Sequence, residues 1–278
     1  MFVVGLLVGG FRQQSSESKV VPEAGRDFFH AAYTGDVEQL DGYFKNGVSP
    51  NVKNGRTHGL TPLMYASWGG KVEAIQYLFA NGADVNEVNS DGVTALMLAA
   101  YANHEEAAKV LLDNKASADL LDKKQNSALT FAITKENIAM IKLLISYGGL
   151  NQRGRMGRSP LAVATLKNKT NALRIILSLP QGRVLANRKD TTAMNPFMLA
   201  AKAGNVNLVR ELLPFTDDVN STDFKGRTAF DLLSKSAVPE GKLSALKAIR
   251  SRGARTGGPI RTNRKQEVPS QARRTPKR

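Results

Sequence analysis

Thr61-Pro-Leu-Met-Tyr-Ala66 returns 33 residues later as Thr94-Ala-Leu-Met-Leu-Ala99, then as Ser127-Ala-Leu-Thr-Phe-Ala132 and Ser159-Pro-Leu-Ala-Val-Ala164. Asn195-Pro-Phe-Met-Leu-Ala200 and Thr228-Ala-Phe-Asp-Leu-Leu233 continue the series, with offsets of 33, 33, 32, 36 and 33 residues between heads. Each head is followed by a second apolar stripe, such as Ile75, Leu78 and Phe79, or Ile141, Leu143, Leu144 and Ile145. The unit closes on glycine and asparagine, as in Asn81-Gly-Ala-Asp-Val-Asn86. A degenerate first copy starts at Phe28-Phe-His-Ala-Ala-Tyr-Thr-Gly35 and ends at Asn46-Gly47. The head oxygen can cap a helix, and proline directly after it suits the first turn. The pattern predicts a short helix, a turn, a longer helix and a glycine-rich loop per unit. A helix of about two turns does not persist alone in water, so the units must stack.

These motifs resemble the ankyrin-repeat family, carried by Gly59-Leu-Thr-Pro-Leu63, Asp91-Gly-Val-Thr-Ala-Leu96, Asn81-Gly-Ala-Asp-Val-Asn86 and Lys225-Gly-Arg-Thr-Ala-Phe-Asp231. The expected fold class is all-α, a solenoid of helix-turn-helix units joined by short loops or hairpins. It covers residues 24–254 in about seven repeats. The family histidine after Thr-Pro-Leu is replaced by Met64, Met97, Thr130, Ala162, Met198 and Asp231, which weakens the usual polar ladder between repeats. The unit from Ser159 is irregular: Leu179-Pro-Gln-Gly182 interrupts its second helix, and the next connection is about three residues long beyond the period.

Chemistry is sparse. With no cysteine there is no disulfide, thiol nucleophile or thiolate metal cage. His30, His58 and His104 are too widely spaced for a local metal motif, and are expected in a first helix, a loop tip and a turn. Ser16–Lys19 and Ser244–Lys247 match Ser-x-x-Lys without partner motifs. The protein is read as a non-enzyme, without cofactor or metal.

Charge is distributed unevenly. Residues 1–136 carry 12 basic and 16 acidic residues, residues 137–189 carry 10 and none, residues 190–249 carry 7 of each, and residues 250–278 carry 10 and 1. The total of +15 therefore sits in one central block and one tail. Residues 255–278 read as a basic disordered tail, poor in apolar side chains. Its Arg273-Arg-Thr-Pro-Lys-Arg278 could bind nucleic acid or an anionic surface, but no aromatics are interleaved for base stacking. Residues 1–11, MFVVGLLVGGF, form an apolar signal-like segment before a polar linker at 12–23. Eleven residues reach about 16 Å as a helix, half a bilayer core, so this run suits a secretory signal cleaved after Gly10 better than a span. No Lys or Arg precedes it, as a signal would usually have. Membrane contact is expected through this segment alone, if it is uncleaved.

The resemblance implies protein binding on a concave face made by the first helices and loop tips. Seven places after each head stand Trp68, Tyr101, Thr134, Leu166, Lys202 and Lys235, with Tyr33 in the first copy. Tyr33, Trp68 and Tyr101 would form a row of partly exposed rings; the alternative is that they fill grooves between repeats. Tyr and Trp are common binding anchors. Lys123, Lys124, Arg153, Arg155 and Arg158 at the tips, with Lys167 and Lys202 on first helices, would grade this face from aromatic to basic. The partner expected is a protein with an acidic patch; the alternative is a solvated rim. The reading is a protein-binding module, a monomer when unbound, exported to a bacterial envelope where it inhibits or positions a partner such as a cell-wall enzyme. Two alternatives stay open: a cytoplasmic or host-directed scaffold, and a tail-led nucleic-acid or membrane-surface binder.

Overall fold

The computed structural model describes residues 24–237 and 241–257. The signal-like segment, the linker and nearly all of the basic tail lie outside the described residues. The described residues form seven helix pairs in sequence. Helices α1 (Ala24–Thr34) and α2 (Val37–Lys45) make the first unit; α3 (Pro62–Trp68) and α4 (Val72–Ala80) the second. The third and fourth are α5 (Ala95–Ala102) with α6 (Glu105–Asp113), and α7 (Ala128–Lys135) with α8 (Ile138–Ser146). The fifth holds α9 (Pro160–Leu166), α10 (Thr170–Leu177) and an added α11 (Gly182–Asn187). The last two are α12 (Pro196–Lys202) with α13 (Val206–Leu212), and α14 (Ala229–Ser234) with α15 (Lys242–Ser251). The described residues are helical, without a named strand; Asn54–Leu60 and Gly154–Arg158 form isolated bridges at loop tips.

Each head caps its first helix. Thr61, Thr94, Ser127, Ser159, Asn195 and Thr228 accept the backbone N–H three residues on, at 2.9–3.3 Å. This satisfies one of the four free donors at a helix start. At the family's histidine position, Met64 Sδ accepts the Thr61 N–H at 3.4 Å and Asp231 Oδ2 accepts that of Thr228 at 2.9 Å. Short side chains let the first helices approach: Ala66, Ala99, Ala100, Ala132, Ala164 and Ala200 are fully buried. Leu78, Leu111, Leu144, Ile176 and Leu212 of the second helices close the core behind them. Burying one such leucine contributes about 1.5–3 kcal/mol.

Two polar ladders bind unit to unit. At the tips, the Ser90 N–H donates to the His58 carbonyl and the Lys123 N–H to that of Asp91, both at 2.8 Å; Thr191 donates to Met156 at 2.9 Å. Where each loop leaves its second helix, Asn51, Asn86, Asn187 and Asn220 each accept a backbone N–H of the next unit and donate to one of its carbonyls. The last unit reaches past residue 254: the Arg255 carbonyl accepts from Thr228 Oγ1 at 3.2 Å and the Gly257 N–H donates to Asp231 at 2.7 Å.

The interrupted fifth unit is as irregular as its sequence. α10 stops at Leu177, the chain turns through Leu179–Gln181, and α11 follows. Gly182 is required there, because a Cβ would lie 2.4 Å from the Leu177 carbonyl oxygen. First-helix contact is broad from α1 to α7 and narrows on both sides of α9.

Candidate functional site

The first helices form one layer with two edges. Loop tips lead into their N-termini, and the turns to the second helices leave from their C-termini. A seven-residue helix rises about 10 Å, so the two edges are separate surfaces. Lys123, Lys124, Arg155 and Arg158 lie on the tip edge, whereas Tyr33, Trp68, Tyr101, Lys167 and Lys202 end their helices on the turn edge. The predicted site residues thus fall into two groups, and the aromatics are not beside the tip cations.

On the turn edge, Tyr33 is 39% exposed and its ring centre lies 5.2 Å from that of half-buried Trp68, at 56°. Tyr101 belongs to a second cluster, edge-on to Phe131 at 5.9 Å, with Lys135 Nζ 4.2 Å from its ring centre. No ring pair joins Trp68 to Tyr101 among the described residues, so the row is a pair and a separate ring. Both groove filling and exposure are present: Trp68 packs partly against the core, Tyr101 is half-buried beside Phe131, and Tyr33 stands out. Leu166, 40% exposed, then Lys167 and Lys202 carry the edge onward, and neither lysine pairs with a carboxylate among the described residues.

On the tip edge, Lys123, Lys124 and Arg155 are exposed. Arg158 is different: its Nε lies 3.4 Å from Asp190, whose side chain is almost wholly buried. Asp190 also accepts the backbone N–H groups of Thr192 and Met194, so Arg158 serves the next tip rather than solvent. Three more cations of the acid-free block are paired across units in the same way. Lys169 pairs with Glu136 at 3.5 Å, Arg174 with Glu211 at 2.6 Å and Arg183 with Asp217 at 2.7 Å. Counting charge along contiguous sequence missed these partners because solenoid neighbours lie one repeat apart.

The histidines fall as expected. His30 is in α1, His58 at a tip with Nδ1 3.5 Å from Asp91, and His104 before α6, over Gly70. No group of three metal-ligating side chains occurs among the described residues, and none of their helices is long and apolar enough to cross a membrane.

A stack of helix pairs that presents continuous side-chain edges, held together by backbone ladders, defines the class of solenoid interaction scaffolds. The family model for ankyrin repeats in three copies matches residues 28–122 and 111–184, and the chain belongs to the ankyrin-repeat family. Among solved structures, the human ASB11 ankyrin repeat domain is similar to it. The likeness has a TM-score of 0.62 at 22% identity and covers 83% of this chain and 99% of that one. Ankyrin repeats are protein-binding modules, generally non-catalytic.

Proposed function

We propose that this protein docks a partner protein on the turn edge of its first-helix layer, holding an apolar knob at the amino-terminal end and an acidic patch at the other. The observation that carries the reading is the Tyr33–Trp68 ring pair, left partly open on the same edge as Lys167 and Lys202. Aromatic anchors supply affinity, and free cations aid encounter and register. Docking without catalysis blocks or positions the partner. The setting we favour is a bacterial envelope, supported by the apolar run Met1–Phe11 and tested by sequencing the mature amino terminus.

Affinity capture from source cells with residues 12–278 gives the test. A specific partner should survive moderate salt, and Trp68→Ala should weaken its binding at least tenfold, about 1.4 kcal/mol. Removing residues 258–278 should change it less than twofold. Capture lost with that deletion and steeply weakened by salt would place binding in the tail instead.

A further inference from the structure

Each loop tip carries a pair of residues four and three places before its head. In the first two tips these are Thr57 and His58, then Ser90 and Asp91. Charge is settled there between the tips: His58 Nδ1 lies 3.5 Å from Asp91, and Lys53 Nζ lies 2.6 Å from Glu87. The same pairs in the last four tips are Lys123 and Lys124, Arg155 and Met156, Thr191 and Thr192, then Phe224 and Lys225. From the third tip onward the exposed charge has one sign. Lys123, Lys124, Arg153, Arg155, Lys189 and Lys225 are all exposed and join no ion pair among the described residues.

The acids of these tips are spent within the loops. Asp122, Asp190 and Asp223 are buried and accept the backbone N–H groups of Asn126, Met194 and Arg227, at 2.7, 3.2 and 3.0 Å. The remaining loop acids, Asp119, Asp217 and Asp218, stand at the loop starts. Backbone bonds keep the tips in line: Lys123 N–H donates to Asp91, Arg155 N–H to Gln125 and Thr191 N–H to Met156. At about 10 Å per stacked unit, the four basic tips run about 30 Å. Two apolar side chains stand out among the cations, Met156 at 40% exposure and Phe224 at 69%.

Both flanking segments join the stack on this edge. Helix α1 begins at Ala24, and first helices begin on the tip edge. Arg255 and Gly257 bond to Thr228 and Asp231 at the start of α14. The apolar run 1–11 and residues 258–278, with 7 basic residues and 1 acid, are thus tethered to the same side as the basic tips.

We propose that the tip edge lies on an anionic lipid bilayer, with its lysines and arginines at the headgroups and Phe224 and Met156 entering the interface. Cations near an anionic membrane and apolar side chains in its interface are each weak anchors, and they bind stably in combination. Nucleic acid fits less well, because Phe224 is the one ring on these four tips and bases need a series of stacking platforms. The inference is independent of the turn-edge reading: a stack resting on its tips leaves the turn edge open to a partner protein.

The test is sedimentation of the full chain, and of residues 12–278, with phosphatidylcholine vesicles that hold either no phosphatidylserine or about one-third of it. Binding should require phosphatidylserine in the shorter chain and fall with salt. Each surface cation is worth about fivefold, so Lys123→Gln/Lys124→Gln/Arg155→Gln should weaken binding at least tenfold. Lys109→Gln/Lys142→Gln/Lys247→Gln removes three exposed cations of second helices and should weaken it less than twofold. Phe224→Ser should weaken it about threefold, and Trp68→Ala should leave it unchanged. The loss from the tip variant should persist after residues 258–278 are removed. Equal effects of the two triple variants would overturn the proposal, as would binding abolished by the tail deletion and indifferent to the tips. Vesicle binding lost in Trp68→Ala would turn the other edge to the bilayer and equally overturn it. Displacement of the vesicles by a single-stranded oligonucleotide, held by the tip cations without need of Phe224, would make the edge a nucleic-acid surface instead. Partner capture sensitive to Trp68→Ala stands or falls separately from all of these outcomes.

Discussion

Ser67 stands fully buried on α3 with its hydroxyl unpartnered, where the third and sixth units place buried Ala100 and Ala201. An unsatisfied buried polar group costs about 1–3 kcal/mol, and alanine is the better helix former. Ser67→Ala is therefore expected to raise the urea midpoint, with a gain of about 1 kcal/mol. A fall in the midpoint would mean that the hydroxyl already has an acceptor, such as the Leu63 carbonyl one turn back. Residues of this kind mark the border of what sequence reveals. The caps were readable because Thr61 and Met64, or Asn195 and Met198, are three places apart on one chain. Arg158–Asp190, Arg183–Asp217 and the Asn86 rung join residues 29–34 places apart, and only stacking shows them as neighbours. For the same reason the aromatics at Tyr33, Trp68 and Tyr101 were legible as helix-end residues, but their separation from the tip cations was not.

At the scale of one element, the last unit is fastened by carboxylates. Asp223 accepts a two-toothed contact from Arg227, at 2.9 and 2.6 Å, and the N–H groups of Lys225 and Arg227. Burial pushes its pKa up, but these donors outweigh it and hold the carboxyl below the ordinary value. Asp231 is depressed likewise, burial being outweighed by the Thr228 and Gly257 amides and the Thr228 hydroxyl. Such groups contribute stability that is fully present above an unfolded pKa of about 3.9 and is lost as pH falls through the folded one. Hydrogen exchange at pH 6 and pH 3 should therefore show α14 and α15 losing protection before α3 to α6. Uniform loss along the stack would refute this. Sequence foretold the element count and the break at Leu179–Gly182, because proline and glycine punctuate locally. It did not foretell α11, whose Leu185 and Ala186 are buried only once neighbouring units supply the surface.

Across the whole molecule, the two halves are joined differently. From α1 to α7 the first helices meet along buried alanines, so each unit depends on its neighbour for apolar burial. At the fifth unit that contact narrows, α10 stops early, and Arg158–Asp190, Arg174–Glu211 and Arg183–Asp217 bridge to the sixth. The latter two pairs involve well-exposed arginines, and such pairs typically contribute about 0–1 kcal/mol each. In a solenoid, stability is close to a sum of unit and interface terms, so a weak interface divides the unfolding transition. Trp68, the single tryptophan, reports only on the amino-terminal half, whereas helical ellipticity reports on all units. In urea, the Trp68 midpoint should lie above the ellipticity midpoint, since the carboxy-terminal half releases first. Moderate salt should widen the gap, because it screens the bridging pairs and leaves the alanine seams intact. Coincident midpoints at both salt concentrations would make the stack one cooperative unit and remove the seam at α9.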